Sequence, residues 1–246
     1  METQDSLTIV VPGFEIMTPA WFIKLMPQFL EQCGRVCYKS EVGICAGSAD
    51  HFVRGIIKSG HESVIEHCSI TVKIVGDRSM SHQLVRHRIA AYSQESQRYC
   101  DYGKLGFQVV CPPSIADIPP GTYVRDAGWH ILPVGEALPQ RIPIDLAEAT
   151  NSWMNSVWNS YKIYCRFRSD GIPPEDARSV LPNATKTEVV TTYNLRQWRH
   201  VFVERALNKH AQWQIRGILG AICQRFAQLL PSVFSDLAER LSEDGD

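Results

Sequence analysis

Residues 69–75 alternate strictly, with Ile70, Val72 and Ile74 set against Thr71 and Lys73. A period of two is the signature of a strand buried on one face. On both sides of it the period changes. Phe52, Val53, Ile56 and Ile57 share one face of a helix over 49–59, which Ser48 is placed to cap and Gly60 to end. Far downstream, Ile215, Leu219, Ile222 and Phe226 form one apolar stripe in a helix over about 210–229. Further strands are expected at 7–11 and 184–193, and further helices at 19–37, 77–87, 144–168, 173–181, 195–208 and 231–242. Strands that are few and separated by helices place the chain in a mixed α/β (α+β) class. The stretch 111–143 carries seven prolines, at 112, 113, 119, 120, 133, 139 and 143, and reads as a loop or irregular insertion rather than a core element.

The chain has 246 residues, enough for one large domain or two small ones, and 44% of them are apolar, which suffices for a full core. Its net charge of -1 gives no general attraction to nucleic acid or to a membrane. Any anion site must therefore be a local cluster of cations. Eight cysteines, with no CxxC and no zinc-like spacing, point to free structural thiols and no metal. The N-terminal METQDSLTIVV lacks a basic region followed by a long apolar stretch, so a cytoplasmic location is expected.

One segment does supply a local cluster of cations. Arg86-His87-Arg88 lies beside Leu84 and Val85 and is followed by Ile-Ala-Ala-Tyr-Ser-Gln-Glu and then Ser96-Gln97-Arg98-Tyr99. Arginine offers a planar fork of donors that matches phosphate and carboxylate. A solvated basic turn is the alternative reading of RHR alone. A second anomaly is Arg205. On a helical wheel begun at Asn194, Leu195, Trp198, Val201 and Phe202 make an apolar face, and Arg205 falls in its middle with Asn194 beside it. A charge there must bind something or be paired, for example to Glu204 of another copy or to Glu188.

The run RHRIAAYSQESQRY resembles the signature of the flavin-dependent thymidylate synthases, in which RHR is followed after seven residues by Ser. His61-Glu62-Ser63-Val64-Ile65-Glu66-His67 resembles that family's H-E-x-x-x-E-H block. Its two histidines are six apart and share no helix face, so it is not a zinc-protease motif. Ala177-Arg178-Ser179-Val180-Leu181-Pro182 resembles A-R-x-x-L-P, and Asn194-Leu195-Arg196, Trp198-Arg199-His200, Arg205 and His210-Ala211-Gln212-Trp213 resemble the block that follows. The resemblance runs from about 45 to 230, with 111–143 unmatched.

The resemblance implies a single domain with a central, mostly antiparallel sheet flanked by helices, and a homotetramer with FAD bound between subunits. It places His61, Ser63, Glu66, Arg86, His87, Arg88, Asn194, Arg196 and His200 at FAD-contacting positions. Gln83, Gln94, Ser96, Arg98, Arg178 and Arg205 fall at dUMP-contacting positions. The implied reaction methylates dUMP to dTMP with methylenetetrahydrofolate and NADPH as co-substrates and no attacking cysteine. Arg205 would be the principal activating residue, Ser96 a positioning group and His61 an orienting one. The chain departs from the family pattern in three ways: Gln94 stands where many members carry Glu, Ser93 where Asn is frequent, and His200 where some carry Asn. One extra residue separates Arg205 from Ala211-Gln212-Trp213, a difference that a helix break near Leu207-Asn208 would absorb. Three alternatives stay open: a flavin-binding homologue without thymidylate synthesis, a nucleotide- or RNA-binding module, and a structural oligomer.

Overall fold

The computed structural model describes residues 6–115, 118–125, 127–132 and 142–243. In chain order the strands are β1 (Ser6–Ile9), β2 (Gly13–Ile16), β3 (Ser69–Asp77), β4 (Ala91–Gln94), β5 (Phe107–Val109), β6 (Gly121–Arg125), β7 (Trp129–Leu132), β8 (Ile142–Pro143) and β9 (Lys186–Asn194). The helices are α1 (Ala20–Arg35), α2 (Ser48–Lys58), α3 (Arg78–Leu84), α4 (Tyr102–Leu105), α5 (Glu148–Ser169), α6 (Pro174–Ala177), α7 (Leu195–Val201), α8 (Trp213–Leu229) and α9 (Pro231–Glu243). The chain is of the mixed α+β class, with its strands in two sheets. It divides into two compact units: Met1–Pro12, Val75–Ser81 and Gln94–Glu188 form the first, and Gly13–Ile74, His82–Ser93 and Val189–Asp246 the second.

The first unit carries a five-stranded sheet in the order β5-β1-β6-β7-β8. β1 runs parallel to β5, with Leu7 opposite Phe107, while the β1–β6, β6–β7 and β7–β8 pairs are antiparallel. The core of this unit joins Leu7, Phe107, Tyr123 and Trp129 to Trp158, Tyr161 and Tyr164 of α5, and the rings of Phe107 and Tyr161 stack at 4.8 Å. This corrects the loop reading of 111–143, because β6 and β7 contribute Tyr123, Val124 and Trp129 to the buried set. The prolines explain the error. Pro119 and Pro120 immediately precede β6, and Pro143 sits in β8 at the sheet edge, where a missing N–H breaks no ladder. Pro133 and Pro139 lie outside the described residues, as does the METQD start of the chain.

The second unit is built on the sheet β2-β3-β9-β4, of which β3, β9 and β4 carry residues of both units. Ile70, Val72 and Ile74 are fully buried, as their alternation requires. Trp198 of α7 anchors the helical side. Its ring lies 4.5 Å from that of Tyr193, 5.4 Å from Phe202 and 5.1 Å from Phe226, and its indole N–H donates to the Ile70 carbonyl at 3.0 Å. The stripe Ile215, Leu219, Ile222 and Phe226 of α8 is wholly buried.

Two local expectations change. Gly47, with φ 83°, caps α2, and Ser48 is the first helical residue. The Ser48 hydroxyl donates to Glu31 at 2.8 Å and its oxygen accepts from the Cys45 N–H at 3.1 Å, and no side-chain bond caps the helix. Gly60 does end that segment, at φ 74° with its N–H on the Ile57 carbonyl. The helix expected over 195–208 is α7 followed by a π-helical turn, Phe202–Leu207. A π turn takes up one more residue than an α turn, which accommodates the extra residue between Arg205 and Ala211.

Candidate active site

The Arg86-His87-Arg88 turn is held from within the second unit. Backbone bonds run from Arg86 N–H to the Gln83 carbonyl and from His87 N–H to the Leu84 carbonyl. Tyr92, five residues past His87, closes the turn: its hydroxyl donates to the Leu84 and His87 carbonyls at 2.8 Å each and meets the Tyr193 hydroxyl at 2.6 Å. Neither tyrosine was recognised from the sequence, because 101 residues separate them. Tyr92→Phe removes the shared donor and is expected to cost about 1–2 kcal/mol. Urea unfolding checks this, and an unchanged midpoint would show that the backbone bonds hold the turn alone.

The turn points its three basic residues in different directions. The side chains of Arg86 and Arg88 are exposed and, among the described residues, make no hydrogen bond or ion pair. His87 is buried and accepts from Arg205: the guanidinium Nε lies 3.1 Å from His87 Nε2. Arg205 also donates through Nη1 to Gln83 Oε1 at 3.4 Å. Burial, then the Arg205 guanidinium and then His200 hold the His87 pKa down at about 4. At neutral pH His87 is therefore an uncharged imidazole with its proton on Nδ1. Among the described residues of this chain Arg205 has only neutral partners, and the pair with Glu188 considered from the sequence does not form. Glu188 instead pairs with Lys186.

The turn of residues 62–67 and helix α7 enclose a cavity of about 630 Å³ lined by Glu62, Glu66, Asn194, Arg196, Arg199 and His200. A second cavity of about 430 Å³ shares Glu62 and Arg196 and adds His61, Ser63, Tyr38 and Phe52. Each lies in the size range of small-molecule sites. Asn194 caps α7 by accepting from Gln197 N–H at 2.8 Å, which sets the direction in which α7 leaves β9. Charges alternate along one wall. Arg196 pairs with Glu66 at 2.6 Å and lies 3.9 Å from Glu62, and Glu62 accepts from Arg199 at 3.1 Å. Arg199, nearly buried, grips Asp236 of α9 with two bonds of 2.7 Å and also donates to the Val233 carbonyl. Arg199 and Glu62 were visible in the motifs but were not read as site residues. Their role depends on Asp236, which no motif contains. His200 packs edge-to-face on His87 at 5.9 Å.

The remaining candidates lie in the first unit. Gln94 donates through Nε2 to Ser81 Oγ at 3.0 Å and to Thr187 Oγ1 at 3.2 Å. The Ser81 hydroxyl proton is already given to the Arg78 carbonyl at 2.9 Å, so Ser81 accepts, which fixes the amide with Nε2 towards Ser81 and Thr187. Arg98 and Arg178 converge on Glu175: Arg98 Nε donates to its carboxylate at 3.0 Å and Arg178 Nε to its carbonyl at 3.0 Å. The Arg98–Glu175 pair is about half exposed, so it is weak enough for an anionic ligand to displace. Ser96 Oγ accepts from Arg98 N–H at 3.3 Å, and no general base touches it among the described residues.

The family model described as "Thymidylate synthase complementing protein" matches residues 23–232. A flavin-dependent thymidylate synthase of Geobacter sulfurreducens is 36% identical over 210 residues, covering 82% of this chain and 78% of that protein. The chain belongs to the flavin-dependent thymidylate synthase family. A member from Mycobacteroides abscessus is 35% identical over 223 residues, covering 89% and 82% of the two chains. The fold is similar to that of a UMP/dUMP methylase, PolB from Streptomyces cacaoi, solved with 5-Br dUMP. The TM-score is 0.67 and the identity 21%, over 96% of each chain.

The family implies a flavin, and the residues present fit one. A dinucleotide needs cations for its pyrophosphate and acceptors for its ribose hydroxyls. Arg196 and His200 stand among Asn194, Glu62 and Glu66 along the larger cavity, which is such a donor and acceptor set.

Proposed function

We propose that this chain methylates dUMP to dTMP, with methylenetetrahydrofolate as one-carbon donor, NADPH as reductant and FAD as the bound cofactor. The observation that carries the reading is Arg205, a half-buried guanidinium whose partners, His87 and Gln83, are both neutral acceptors. Such a cation is poised for charge that arrives with a ligand or develops in it. Beside a uracil ring it would favour negative charge on the ring oxygens and make carbon 5 more nucleophilic. Gln83, Gln94, Ser96, Arg98 and Arg178 would hold the nucleotide. His61, Ser63, Glu66, Arg86, His87, Arg88, Asn194, Arg196 and His200 would hold the cofactor, with His61 orienting it. When bound, the flavin supplies hydride transfer; the protein's part is placement and electrostatics.

No cysteine is assigned as a nucleophile. Burial pushes the Cys68 and Cys111 thiols up to about 11 and that of Cys223 up to about 12, which keeps them protonated and inert. Ser96, lacking a base, is a positioning group. The whole chain is proposed to act as one catalytic domain in a cytoplasmic homotetramer. Among the described residues no helix is long and apolar enough to cross a membrane.

The test is tritium release from dUMP labelled at uracil carbon 5, with FAD, NADPH and methylenetetrahydrofolate each omitted in turn. Release with dTMP formation that needs all three is expected. A protein that carries flavin but releases no label would instead be a flavin-binding homologue without thymidylate synthesis. One that neither binds flavin nor releases label would return the RHR turn to nucleotide binding alone.

A further inference from the structure

Glu95 lies between Gln94 and Ser96, both assigned to the nucleotide, yet it has no role so far. Its surroundings in the first unit hold it from three sides. The carboxylate accepts from the Tyr102 hydroxyl at 2.9 Å through Oε1 and from Lys186 Nζ at 3.2 Å through Oε2. The Glu95 N–H donates to the Glu188 carbonyl at 2.9 Å, and Lys186 Nζ donates to the Glu188 carboxylate as well. The Lys186 and Glu95 side chains are only 14% and 17% exposed, and Tyr102 is buried. Burial and then the Glu95 carboxylate push the Tyr102 phenol above its usual pKa, so it stays protonated and donates.

Stability alone is a poor reason for such a pair. A largely buried ion pair adds little over apolar residues of the same size, because both charges lose their water. What it does supply is a fixed geometry. Successive residues of a strand face opposite ways, so Thr187 lies on one face of β9 and Lys186 and Glu188 on the other. Thr187 holds the amide of Gln94 at 3.2 Å, while Lys186 holds the carboxylate of Glu95. Two consecutive residues are thus gripped by consecutive residues of β9, immediately before Ser96 and Arg98. Two carboxylates around one ammonium leave the cluster net negative, so it repels a phosphate and is not itself a nucleotide contact.

We propose that Lys186 and Glu95 are positioning residues of the nucleotide site, which with Tyr102 fix the 94–98 segment so that Gln94, Ser96 and Arg98 meet dUMP already oriented. The inference rests on the dUMP reading above. The experiment is calorimetric titration of the flavin-loaded enzyme with dUMP, for the wild type, for Lys186→Met, and for Lys186→Met combined with Glu95→Gln. In Lys186→Met two carboxylates face each other without their cation. The segment shifts, and dUMP is expected to bind about tenfold more weakly while flavin absorbance is unchanged. The second substitution removes the repulsion: the amide oxygen still accepts from Tyr102 and its NH2 group can donate to Glu188. Affinity is then expected to return to within about threefold of wild type. A Lys186→Met affinity within about twofold of wild type overturns the inference, and a pair that is merely structural gives that result with a lowered unfolding temperature. A double variant as weak as the single one also overturns it, since the lysine charge would then act on the ligand directly. If Lys186→Met does not fold, Glu95→Ala decides: Lys186 keeps Glu188, no charge is stranded, and dUMP must still weaken about tenfold. A wild type that binds no dUMP removes the dUMP reading and this inference together, whereas normal wild-type binding with unaffected variants removes only the latter.

Discussion

Arg205→Ala is expected to retain flavin and to lose about 10²–10³-fold in turnover of dUMP, the scale of deleting one group that stabilises developing charge in a closed site. The expectation follows from the partners of Arg205. His87 and Gln83 both accept from the guanidinium, at 3.1 and 3.4 Å, and neither supplies a negative charge. They fix its orientation without neutralising it. Arg205→Lys keeps a cation but cannot donate to His87 and the substrate in the same plane, and should recover only part of the rate. Steady-state dTMP formation beside flavin absorbance separates the outcomes. Unchanged turnover in the alanine variant would take Arg205 out of the mechanism. Loss of flavin together with turnover would mean that its main task is to hold His87 and the RHR turn.

That Arg205 could be singled out before the fold was known has a simple cause. It breaks a strong local pattern, and the pattern itself (Trp198, Val201 and Phe202, all fully buried) is correct. The same holds for Ile70, Val72 and Ile74 and for the α8 stripe, where period and burial agree. Other features leave no local trace. The π turn over Phe202–Leu207 uses residues that satisfy an α period equally well, so only the spacing to Ala211 hinted at it. Strands β6 and β7 were hidden by prolines that flank them rather than occupy them. Ser48 is a good capping residue by type, yet Gly47 takes that position while the Ser48 hydroxyl donates to Glu31, 17 residues away, and accepts from the Cys45 N–H. Thr187, which links Arg78 to Gln94, lies 109 residues from the former and 93 from the latter. Pairings of that range are decided by tertiary packing, and a sequence read through local periods cannot contain them.

Acidification from pH 7 towards 4 is expected to destabilise the protein through His87, and the sign follows from the state of each nitrogen. His87 Nε2 accepts from Arg205, so a proton there would break that bond and set two cations against each other in a buried position, with His200 close by and, among the described residues, Glu204 as the carboxylate opposing them. Above about pH 6.5 both folded and unfolded chains hold a neutral imidazole and stability is independent of this group. Below that, the unfolded chain takes up the proton while the native His87, with its pKa near 4, does not. Stability therefore falls as pH drops through the window between the two values, and the slope from this group ends once the native state also protonates. The depression corresponds to a loss of roughly 3 kcal/mol by the end of the window. Urea unfolding at pH 7, 6, 5 and 4.5 should show a steeper loss in the wild type than in His87→Gln, whose amide oxygen can still accept from Arg205 but does not titrate. Carboxylates elsewhere act in both proteins and cancel in the comparison. Parallel stability curves would mean that His87 is solvated enough to protonate normally, and the neutral setting of Arg205 would then have to be abandoned below pH 6.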